Sequence, residues 1–71
     1  MNRFLRYSQE KGKKIRVMLL QNGKLAQKTA LVVSYDDANV TLRLGQRKEP
    51  VTLPLASVLS CDYARGDSGE D

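Results

Sequence analysis

The chain has 71 residues, with 12 Lys and Arg against 8 Asp and Glu, one Cys and no His, for a formal charge of +4. That length supports a single core, because halves would fall below the size at which a chain folds without disulfides or metals. The lone Cys61 excludes an internal disulfide, and the lack of His excludes a His-based triad and a zinc site of ordinary ligand type. Leu, Ile, Val and Phe make up 18 of the 71 residues, which lies above the range where chains stay disordered for want of burial. No apolar run approaches the roughly 18 residues needed to span a bilayer, and no basic head with an apolar stretch marks a secretion signal. The expectation is a cytoplasmic, non-enzymatic domain with no cofactor and no metal.

The first dozen residues fit two patterns. Phe4, Leu5 and Tyr7 fall on one side of a short helix capped by Asn2 and stopped by Gly12. The alternation of Leu5 and Tyr7 with Arg6 also suits a strand from Phe4 to Ser8, turning at Glu10-Lys11-Gly12, and this second reading is favoured. From Lys14 the dominant period is two: Ile15, Val17 and Leu19 alternate with Arg16 and Met18, as on a strand with one apolar face. Asn22-Gly23 closes that run with the dipeptide that best tolerates a two-residue hairpin turn. A long second strand follows from Leu25 to Tyr35, with apolar residues on both parities near its end, so it is expected to bend and serve both halves of a small closed sheet.

Asp36-Asp37-Ala38-Asn39 forms a turn through Asx side chains that bond their own backbone. Val40, Leu42 and Leu44 then alternate with Thr41 and Arg43, and the loop Gly45 to Pro50 leads to Val51, Leu53 and Leu55. Pro54 cannot donate to a ladder and belongs on an edge or at a strand end. Leu55-Ala56-Ser57 makes one helical turn, after which Val58, Leu59 and Cys61 start a final strand. The pattern predicts an all-β domain over residues 1–63, a small antiparallel barrel of five to six strands, with residues 64–71 a frayed acidic tail. Closure is expected because open edges expose unpaired N–H and C=O groups.

Charge is distributed unevenly. Through Cys61 eleven cations face four acids, leaving +7, whereas from Asp62 onward four acids face Arg65 alone, leaving −3. Such a body attracts polyanions, of which nucleic-acid backbones are the common cytoplasmic example. Arg16 and Arg43 lie on the strand parity opposite the core, and Lys13, Lys14, Arg47 and Lys48 lie in adjoining turns, so together they can track a phosphate backbone. Tyr35, Tyr7 or Phe4 offers a stacking face.

The order of turns resembles the small barrel of the Sm-like and Hfq proteins over roughly Ile15 to Cys61. Leu19-Leu20-Gln21-Asn22-Gly23-Lys24 and Ser34-Tyr35-Asp36-Asp37-Ala38-Asn39-Val40-Thr41-Leu42 are similar to the first Sm motif, with the turn one residue shorter. In that family an aromatic residue and an Asn near this turn hold a base, and an Arg-Gly in the last loop completes the pocket. The resemblance therefore implies RNA binding by Tyr35, Asn39 and Arg65-Gly66. Here that Arg-Gly stands after the last strand, and the Tyr-Lys-His of Hfq is replaced by Leu53-Pro54-Leu55. Leu5-Arg6-Tyr7 and the strands after Gly12 also look like the WYL domain of bacterial transcription regulators, although its namesake Trp-Tyr-Leu is absent. The leading expectation is a binder of nucleic acid, RNA before DNA. The alternative is a protein-interaction or regulatory module that pairs with a partner or a sister subunit through an exposed strand edge.

Other motifs reduce to simpler chemistry. Gly66-Asp67-Ser68-Gly69 looks like a protease nucleophile loop but has no His to act as base, and Arg65-Gly66-Asp67 spells an adhesion tripeptide that a cytoplasmic chain cannot use. Asp36 and Asp37 point apart on a turn and make a poor cation site. Cys61 reads as a small buried hydrophobe.

Overall fold

A computed structural model describes residues 2–69. The elements in order are helix α1 (Asn2–Lys11), strands β1 (Ile15–Gln21), β2 (Lys24–Tyr35), β3 (Asn39–Leu44) and β4 (Val51–Pro54), a 3-10 turn (Leu55–Ser57), and β5 (Val58–Tyr63). The five strands form one antiparallel sheet in the order β4-β3-β2-β1-β5. The fold is thus mainly β, as the alternation predicts, but the sheet does not close into a barrel. β4 has four residues and ends on Pro54, which has no N–H to donate, and the chain turns at once into the 3-10 segment. β5 then pairs with β1 rather than with β4, which leaves β4 and β5 as the two edges.

The first hairpin follows the Asn-Gly rule. Asn22 and Gly23 have φ of 52° and 76°, the left-handed pair that matches the twist of the flanking strands, and Gln21 pairs with Lys24 across the turn. This register places Ile15, Val17 and Leu19 on the inner face, where they are fully buried with Ala30, Val32, Val40, Leu42 and Val58.

The strand expected over Phe4–Ser8 is instead the first part of α1. Leu5 and Ser8, three residues apart on one helical face, are both fully buried, and a serine hides that stripe from any count of apolar residues. The helix stops at Gly12, whose φ of 66° lets its own N–H and that of Lys13 both return to the Ser8 carbonyl, at 2.9 and 3.3 Å. α1 covers the end of the core that the open sheet leaves uncapped.

What docks the helix is a defect in β2. β1 ends at Ile15 opposite Ala30, so beyond Ala30 one edge of β2 has no neighbouring strand, and its pairing with β3 shifts register between Val32 and Ser34. Two side chains of α1 take the missing partner's place. The Ser8 hydroxyl donates to the Lys13 carbonyl at 2.6 Å and accepts the buried Val32 N–H at 2.9 Å, and the Gln9 amide donates to the Val33 carbonyl at 3.2 Å. At the other end of α1, Tyr63 of β5 meets Phe4 and Tyr7 edge-on, with ring centroids 4.8 and 5.2 Å apart.

The tail, expected to fray, makes contacts over its described part. Tyr7 Oη donates to the Asp67 carboxylate, 3.0 and 2.8 Å from its two oxygens, and the N–H groups of Asp67 and Gly69 bond Ala64 O and Asp67 Oδ1. Glu70 and Asp71, counted in the tail charge, lie outside the described residues, as does Met1.

Ser8→Ala strands the Val32 N–H and the Lys13 carbonyl and is expected to cost about 1–3 kcal/mol in urea unfolding. The exposed Gln9→Ala change is expected to cost about 0.5 kcal/mol or less. Equal losses for the two variants would contradict this role for Ser8.

Candidate nucleic-acid interface

Sheet register builds the site. Leu31 of β2 pairs with Arg43 of β3, and Lys14, the residue before β1, lines the same cleft. Leu31 and Arg43 form a row on the outer face, with Leu31 half-buried and Arg43 exposed. The β3–β4 loop adds Arg47 and Lys48 at one side of this row, its base fixed by a Gly45 N–H bond to the Thr29 carbonyl at 2.8 Å and an Arg47 N–H bond to Leu44 at 3.0 Å. The result is a cleft of about 420 Å³ lined by Lys14, Leu31, Arg43 and loop residues 45–48. It has four cations and no acid on its walls. A concave cationic surface raises the local positive potential, and the forks of Arg43 and Arg47 match phosphate oxygens in pairs.

The remaining residues named from sequence lie elsewhere. Arg16 is held by its own sheet edge, with Nε donating to the Tyr63 carbonyl at 2.8 Å and a terminal nitrogen 3.3 Å from Asp62. Lys13 sits where its charge helps stabilise the Asp67 carboxylate. Tyr35 is half-buried and packs against the core, and the exposed Asn39 lies at the start of β3, roughly 17 Å of strand from the cationic loop at its other end. Arg65 follows β5. The 3-10 turn before that strand is bonded to the Asp36–Asn39 turn through Leu55 N–H and Ala38 O at 2.8 Å, so Arg65 is separated from Asn39 by the length of β5, again roughly 17 Å. Tyr35, Asn39 and Arg65 are thus not gathered into one pocket, and of the nine residues only Lys14, Arg43, Arg47 and Lys48 line the cleft.

The acids have structural work. Asp36 Oδ1 accepts the N–H groups of Asn39 at 2.7 Å and Ala38 at 2.8 Å, which lowers its pKa and fixes the turn. The Asp67 pKa is lowered first by the Gly69 N–H and then by the Tyr7 hydroxyl. Burial pushes the Cys61 thiol up, which keeps it protonated and inert. Among the described residues no group of three or more Cys, Asp or Glu could hold a metal ion, and no helix is long and apolar enough to cross a membrane.

Sequence reasoning missed Lys28 and Gln21, which border a second depression beside the same loop. Lys28 shares the parity of Ala26, Ala30 and Val32, and that parity reads as inward-facing. Comparison with protein-family models finds no match, and comparisons with curated proteins and with solved structures also find none.

The Asp67 tether gives an acid-limb prediction. Its pKa is depressed in the folded chain, so its contribution to stability is whole above the ordinary aspartate range and is lost as pH falls through the lowered value. Urea midpoints followed from neutral to strongly acid pH should decline more for the wild type than for Asp67→Asn, and parallel curves would contradict the tether.

Proposed function

We propose that this chain is a non-enzymatic nucleic-acid-binding module that holds single-stranded RNA by its phosphates in the cleft of Lys14, Arg43, Arg47 and Lys48. The observation that carries this reading is that Lys14, Arg43, Arg47 and Lys48 line one cleft with no carboxylate on its walls. The preference for RNA over DNA rests on the sequence resemblance of the Asn22-Gly23 and Asp36–Asn39 turns to the first Sm motif. Recognition on this reading is indifferent to base sequence. Phe4, Tyr7 and Tyr63 pack on one another, Tyr35 packs against the core, and no aromatic ring lines the cleft. Phosphate contacts alone position a strand without reading it.

A second reading is favoured by one feature, the outer edges of β4 and β5, which no further strand pairs among the described residues. On that reading a protein or a sister subunit adds a strand to one of them.

The combined variant R43E/R47E/K48E separates the two. It should weaken binding of a single-stranded RNA at low salt by more than about tenfold and make the log–log salt slope shallower by about 2, at about 0.7 for each phosphate lost. Polyglutamate of equal charge should bind far more weakly than RNA. No wild-type binding at low salt, or binding unchanged by the triple reversal, would refute the proposal. A complex that is insensitive to salt and survives the reversal would instead support pairing at an edge.

A further inference from the structure

The Gly45–Pro50 loop stands as a ridge between two depressions. On the outer side is the cationic cleft. On the other side lies a depression of about 270 Å³ lined by Gln21, Lys28 and Leu44, which shares Gly45, Gln46 and Arg47 with the cleft. The two sides belong to opposite faces of the sheet. Leu31 and Arg43 face outward, whereas Lys28 pairs with the buried Val17 and Leu44 pairs with the buried Ala30, so both belong to the inward parity.

Lys28 is nevertheless exposed, because α1 packs beyond Ala30 and leaves the inner face open at this end. Gln21, Lys24 and Lys28 all lie on the core parity at this end of the β1–β2 hairpin and are all exposed, so the inner face here is polar, and of the two lysines only Lys28 lines the depression. Lys28 has Gln21 and Gln46 as neighbouring amides and no acid on the walls of its depression. Arg47 lines both depressions and so connects them.

We infer that Lys28, with Gln21 and Gln46, forms a second phosphate subsite, reached by a single-stranded phosphodiester chain that leaves the outer cleft and crosses the loop at Arg47. This rests on the nucleic-acid reading above and adds a length requirement to it: a short oligonucleotide fills the outer cleft alone, and a longer one engages Lys28 as well.

Fluorescence anisotropy with uridine and deoxythymidine oligomers of about four and about twelve nucleotides tests this, a range that brackets single-strand site sizes on small β domains. Lys24→Glu is the control, since Lys24 lies on the same strand, undergoes the same change of charge and lines neither depression. Relative to that control, Lys28→Glu should lower the affinity of the longer oligomer about fivefold or more and make its salt slope shallower by about 0.7, while the shorter oligomer is unaffected. Lys28→Gln should show a smaller loss of the same kind. Lys28→Glu matching the control, or weakening both lengths alike, would overturn the subsite. A loss seen with RNA but not with DNA would overturn its assignment to phosphate. A wild-type chain that binds neither length would instead remove the nucleic-acid reading itself, and the subsite with it.

Discussion

A backbone N–H buried away from water must find an acceptor, and the N–H of Val32 finds one only in the hydroxyl of Ser8. β2 is twelve residues long, longer than either neighbour, so it cannot be paired along both edges throughout. β1 serves its first part, β3 serves its second, and α1 substitutes for a strand where β1 has run out. The helix is therefore part of the sheet's hydrogen-bond accounting rather than an ornament on it. The same contact brings Leu5 over the core and carries Phe4 and Tyr7 to Tyr63.

Because one strand sets the register of both neighbours, it also sets the position of charge. Arg43 shares the outer face with Leu31 only in this register, and a slip of one residue in β3 would turn it to the other face. Acids at the β5 end reinforce the contrast. Asp62 pairs with Arg16, and Asp67 sits within reach of the charge of Lys13, so the positive field there is partly cancelled. The walls of the cleft beside the β3–β4 loop carry four cations and no acid, although Glu49 stands next to Lys48 in the loop itself.

Much of the fold is legible in the amino-acid order because its devices are local. The Asn22-Gly23 turn, the Asx turn at Asp36, the alternation in β1 and β3 and the helical turn after Pro54 each need only a few neighbouring residues to specify them. The helix was harder to read, because its inward face depends on Ser8, a polar residue whose burial makes sense only once Val32 is its partner. The open sheet has a related reason. The cost of open edges is visible in sequence, but the ability of α1 to cap the core without closing the sheet is not. That Lys14, Arg43, Arg47 and Lys48 share one cleft agrees with parity and turn position in the sequence. Arg16 lies on the outward parity of β1, and its engagement by Asp62 and Tyr63 depends on a pairing between distant strands that the sequence does not display. Lys28 was hidden by its own parity.

The central claim is that register, not composition alone, gathers the cations beside the β3–β4 loop into one polyanion-binding cleft. An NMR titration of the whole chain with a single-stranded RNA at low salt tests it most directly. The account predicts that amide and side-chain shifts concentrate at Lys14, Leu31, Arg43 and residues 45–48, while Tyr35, Asn39 and Arg65 stay in place. Shifts centred on Tyr35 and Asn39, or spread evenly over every lysine and arginine, would contradict it.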